Sequence, residues 1–123
     1  MEKNTKSYLI TDKADFSQKI NSQITVGKEM LAHQITSHEA FETLKNDISK
    51  WSDYNTELLK QSFNNPDNEY LNEYKSIRFL DSFIGVHYLS KEVERYKKRV
   101  SKYILGIEKI INKVDLIPIK GIA

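Results

Sequence analysis

The chain has 123 residues, of which 39% are hydrophobic and 29% charged, with a net charge of +2, four glycines, two prolines and no cysteine. That length supports one domain with one modest core, and few turn formers beside abundant Lys, Glu, Leu and Ile read as mostly helix. The lack of cysteine removes disulfides, thiolate nucleophiles and thiolate metal sites together; with no apolar run near the ~18 residues of a membrane span and no signal-peptide core, the expectation is a cytoplasmic protein.

Residues 1–11 are polar at the start and are expected to form a flexible N-terminus ahead of a helical domain at 12–115. The first helix is marked by Phe16, Ile20, Ile24, Gly27, Leu31 and Ile35, whose spacing of three and four puts them on one face. Thr11 or Asp12 can cap its start. Gly27 costs helix propensity and marks either a close approach of a neighbouring helix or a kink.

Thr36 and Glu39 have the spacing of a capping box, which predicts a second helix beginning there. Its apolar face runs Phe41, Leu44, Ile48, Trp51 and Leu58, widened by Leu59 and Phe63. Asn55 falls where this face calls for an apolar residue. Buried, its amide would fix the register of packing; turned aside by local curvature, it would face water. Asn64-Asn65-Pro66 stops the helix, because Pro disfavours helical geometry in the residue before it.

A short helix is predicted from Asp67 to Tyr74, capped by Asp67 or Asn68, with Tyr70, Leu71 and Tyr74 on one side. Ile77 to Leu89 fits neither the helical nor the strand period and reads as an irregular, aromatic-rich stretch. The last helix is then capped by Ser90 and carries the clearest pattern in the chain. Val93, Tyr96, Val100, Tyr103, Ile107, Ile110 and Val114 recur at 3, 4, 3, 4, 3, 4, an unbroken heptad seam with coiled-coil-like packing. Burial of such side chains is worth roughly 1.5–3 kcal/mol each, so the seam requires a partner. Ile104 and Ile111 widen it, which favours an intramolecular bundle over an autonomous coiled coil. The expected partner is the Phe41, Leu44, Ile48, Trp51 and Leu58 face, with Asn55 setting register. Residues 116–123 form an apolar tail or linker, interrupted by Pro118, that is expected to dock on a second copy or a following domain.

Charge is unevenly distributed. Residues 90–114 carry eight basic side chains against three acidic, and residues 36–85 five basic against nine acidic. Opposite signs favour contact between the two segments, or two copies pairing head to tail. Arg95, Lys98, Arg99 and Lys102 form the best candidate contact for a polyanion, although charged helix faces ordinarily serve solubility.

No constellation for catalysis stands out. His33 and His38 lie five apart across a helix break, Glu29 lies one turn before His33, and two ligands do not make a metal site. Gly27-Lys28 lacks the upstream Gly and following Ser or Thr of a phosphate loop. No metal ligands, cofactor site or catalytic residues are assigned.

The succession Gly27-Lys28-Glu29-Met30-Leu31, Leu44-Lys45-Asn46-Asp47, Trp51-Ser52-Asp53-Tyr54-Asn55-Thr56-Glu57-Leu58-Leu59-Lys60, Gly106-Ile107-Glu108-Lys109-Ile110-Ile111 and Asp115-Leu116-Ile117-Pro118 resembles a known kind of region. It is similar to the helical module that precedes Toll/interleukin-receptor-like and other nucleotide-binding effector domains in bacterial defence proteins, over about residues 20–118. The resemblance implies a sensing or oligomerisation module with no effector active-site residue of its own.

The sequence therefore predicts an all-α antiparallel bundle of about three long helices and a short one, without enzymatic activity. Its expected partners are proteins, either a second copy or an effector domain. The alternative is a small nucleic-acid-binding regulator, antitoxin-like, using the basic face of the last helix.

Overall fold

In the computed structural model, residues 7–77 and 88–119 are described. Among them four helices follow in order: α1 (Lys13–Ala32), α2 (His38–Gln61), α3 (Glu69–Lys75) and α4 (Leu89–Asn112), with a 3₁₀ turn at Val114–Leu116. The architecture is an all-α bundle. Of the irregular aromatic stretch expected from Ile77 to Leu89, residues 78–87 lie outside the described residues, His87 among them, and Leu89 is the first residue of α4 instead.

The caps show how locally the helix ends are fixed. Asp12 is extended, and its carboxylate accepts from the Asp15 N–H at 3.3 Å, which satisfies one of the free donors of the first turn of α1. At the other end, the Lys97 amine of α4 donates to the His33 carbonyl, so a charged donor closes the C-terminus of α1. The start of α2 corrects the sequence reading. Ser37, not Thr36, is the cap, accepting from the Ala40 N–H at 3.0 Å. Glu39 is then only the second helical residue, too early for a reciprocal capping box with Thr36. For α4 the cap is the backbone of Tyr88 with no side-chain bond, and Ser90 already lies within the helix.

Between α2 and α3, Asn68 performs two tasks. Its Oδ1 accepts from the Leu71 N–H at 2.8 Å and caps α3, while its Nδ2 donates to the carbonyls of Leu59 and Asn65, both at 2.9 Å. The side chain is buried with every polar atom satisfied, so the sharp corner after Pro66 is held from inside.

The expected apolar faces are buried: Phe16, Ile20 and Ile24 of α1, Phe41, Leu44, Ile48 and Trp51 of α2, and Val93, Val100, Ile107 and Ile110 of α4. Tyr96 and Tyr103 are partly buried against the same core. Val114 also packs there, but from the 3₁₀ turn beyond the end of α4. Leu59 is fully buried and Leu58 only partly, the reverse of their expected order.

Helix pairing is the larger correction. The heptad seam of α4 packs most extensively along α1 and only secondarily along α2. Gly27 is the reason on the α1 side. A Cβ there would come within 2.8 Å of Trp51 Cζ2 and 2.9 Å of Ile104 Cδ1, so α1, α2 and α4 meet where only glycine leaves room. Of the two roles foreseen for Gly27, close approach is the one found. Lys28 and Glu108 add an ion pair of 3.4 Å across α1 and α4.

The chain before α1 and the chain after the 3₁₀ turn meet. Leu9 bridges antiparallel to Phe63 and parallel to Ile119, and its N–H donates to the Pro118 carbonyl at 2.8 Å. Leu9 is 0% exposed and Ile117 is 2% exposed. Ser7 is buried too, its hydroxyl donating to Glu69 Oε1 at 2.6 Å. Thus Ser7 and Leu9, expected within a flexible terminus, are buried. The tail at 117–119 docks on its own chain, while Leu116 stays exposed.

Candidate functional site

Asn55 is 1% exposed and sits within a polar chain that crosses three helices. Gln23 Nε2 of α1 donates to Asn55 Oδ1 at 2.8 Å, and Asn55 Nδ2 donates to the Tyr74 hydroxyl of α3 at 3.0 Å. That hydroxyl also shares a hydrogen bond with Ser52 Oγ at 3.1 Å. Trp51 Nε1 donates to the Gln23 carbonyl at 2.8 Å. Burial pushes the Tyr74 phenol up to about 12, against the smaller opposing effect of its Ser52 and Asn55 hydrogen bonds. Asn55 therefore ties α1 and α3 to α2. Above it the rings of Trp51, Tyr103 and Tyr74 run edge to face and tilted, at 6.3 and 5.0 Å.

The four residues proposed for a polyanion contact share one side of α4 but differ in exposure. Lys98 and Lys102 point outward and are exposed. Arg95 and Arg99 are partly buried, their guanidinium carbons 6.0 and 4.7 Å from the Tyr96 ring, and Arg95 pairs with Glu92 at 3.5 Å. A polar depression of about 450 Å³ between α2 and α4 contains Arg99 and Lys45. The Glu42 carboxylate bonded to Lys45 holds that ammonium above its ordinary value.

His33 and His38 are both exposed. No group of three or more His, Cys, Asp or Glu side chains able to hold a metal occurs among the described residues, and no described helix is long and apolar enough to cross a membrane.

What the fold does leave open is a groove between the C-terminal half of α1 and the N-terminal half of α2. It encloses about 590 Å³ and is lined by Val26, Glu29, Met30, His33, Gln34, Ile35, Ser37, Glu39, Ala40, Thr43, Leu44 and Asp47. A smaller depression lined by Gln23, Val26, Met30, Asp47, Lys50, Trp51 and Tyr54 continues it along the helices. The floor is apolar: Leu44 is buried, Met30 and Ile35 partly so, and Val26 remains 39% exposed. Three acids stand on the rim, Glu29, Glu39 and Asp47, and none of them has an ion-pair partner among the described residues.

The sequence reading missed this groove. The available signal was an apolar pair, Val26 and Met30, one turn apart and one position off the main stripe of α1, which α4 alone does not require.

Fold and site together define an all-α bundle with an open, acid-rimmed groove. No protein-family model matches the chain, and no curated protein or solved structure shows significant similarity to it.

Proposed function

We propose that this chain is a helical protein–protein interaction module that receives a helix of its partner in the α1–α2 groove. The observation that carries the reading is the groove itself, an apolar trough flanked by acids that lack ion-pair partners among the described residues. Helix-in-groove recognition uses such a surface, with apolar anchors at helical spacing and charge at the rim. The heptad seam, which first suggests an interface, is consumed by packing against α1 and α2. In the resemblance drawn from the sequence, helical regions of bacterial defence proteins sense or oligomerise ahead of an effector domain, and a groove of this kind accords with either role.

The test is an amide-shift titration of the isotope-labelled chain with synthetic amphipathic helical peptides bearing either Lys or Glu beside an apolar stripe. Saturable shifts confined to Val26, Met30, Ala40 and Asp47, seen with the Lys peptide and abolished by Met30→Glu, support the reading. Failure of both peptides to shift these residues overturns it.

A further inference from the structure

Resting on the groove as a helix-binding surface, we propose that its occupant is the outer face of α4 from a second copy of this chain. That face is the part of α4 turned away from the bundle, and at its centre stands Leu105, 59% exposed, a large apolar side chain left in water. Lys98, Lys102 and Lys109, all exposed, lie seven and three residues before it and four after it. These are the positions that surround Leu105 on one helical face.

The two surfaces complement each other. One offers an apolar knob among lysines, the other an apolar floor among carboxylates. Leu105 would enter between Met30 and Leu44, with Lys98 and Lys109 reaching the rim acids. The same helix of the same chain cannot serve, because α4 meets α1 through its opposite side.

A face that binds a different face is heterologous, so copies add head to tail. The rim pairs are solvent-exposed and yield to salt, and the apolar contact is a single knob. Association is therefore weak, concentration-dependent and salt-sensitive.

Mixing two half-dead variants tests this directly. Asp47→Lys spoils the groove and Leu105→Glu spoils the knob; both positions are exposed, and thermal melts by circular dichroism check that each variant is folded. In sedimentation velocity, the wild-type chain should gain average mass with concentration and lose it in high salt. Each variant alone should associate at least about tenfold more weakly. Their equimolar mixture should restore association and stop at a dimer, since only one competent pair of faces remains. A wild-type chain that is monomeric at every concentration, variants that associate as wild type does, or a mixture that stays monomeric would each overturn the proposal. Should the Lys peptide still bind the groove of a strictly monomeric chain, the self-association fails while the groove reading stands; if neither occurs, both fail.

Discussion

Tyr74 carries a buried phenol whose neutral form the fold prefers, and this links its hydroxyl to stability at alkaline pH. With the folded value raised to about 12 from an ordinary value of 10.0, the native state holds its proton where the unfolded chain releases it. The contribution is fully present below pH 10 and is lost as pH climbs toward 12, on the order of 2–3 kcal/mol across that window. Tyr70, also raised by burial, acts in the same direction. Tyr74→Phe should flatten the fall in unfolding free energy above pH 10, measured by urea titration at stepped pH. An equally steep fall in the variant would show that Tyr74 titrates as an ordinary surface phenol. Asn55 matters for the same reason at neutral pH. Its amide satisfies both Gln23 and Tyr74, and buried groups stripped of such a partner cost about 1–3 kcal/mol each.

At the scale of the element, the meeting of α1, α2 and α4 rests on Gly27. Alanine there would gain about 1 kcal/mol of helix propensity, yet its methyl group would press on the Trp51 ring and Ile104. An indole packed on its edge cannot swing aside as a flexible chain end does, so overpacking should win by about 1–3 kcal/mol. Gly27→Ala is therefore expected to lower the denaturation midpoint, and a raised midpoint would mean that the helices separate freely at this crossing. Helix positions were legible in the sequence because each buried stripe repeats at 3.6 residues, and the corner at Asn68 because Pro66 and a capping amide are local signals. Partner choice was not legible. The heptad on α4 declares that a partner exists, while the choice of α1 over α2 depends on a glycine in one helix meeting an isoleucine in another. The cap at Ser37 slipped by one position because adjacent Thr36 and Ser37 offer chemically equivalent oxygens. Asn55 was placed between water and core because its two partners, Gln23 and Tyr74, lie 32 and 19 residues away. The groove stayed hidden because it is a gap between elements rather than a property of either one.

For the whole molecule, the opposed charges of the middle and last segments do not amount to one acidic surface against one basic surface. Lys28 with Glu108 and Lys113 with Glu73 pair across elements, and Arg95 and Arg99 lean on Tyr96. The bundle is closed at its base by Leu9, which touches the turn after α2 and the segment after the 3₁₀ turn at once.

That closure has a kinetic consequence. Leu9 and Ile119 are about 110 positions apart, so their contact encloses nearly the whole chain, whereas each helix and the α2–α3 corner need only short loops. Ordering so long a loop is entropically unfavourable until the rest of the bundle supports it. The bridge should form after the rate-limiting step of folding and part early in unfolding. Leu9→Ala, a buried truncation worth about 2–5 kcal/mol, should then leave the folding limb of the chevron in place and accelerate unfolding by a factor on the order of 100. Slowed folding in the variant would instead put the joining of the two segments inside the nucleus. On the first outcome Leu9 works as a latch that sets how long the native bundle lasts without affecting how quickly it assembles.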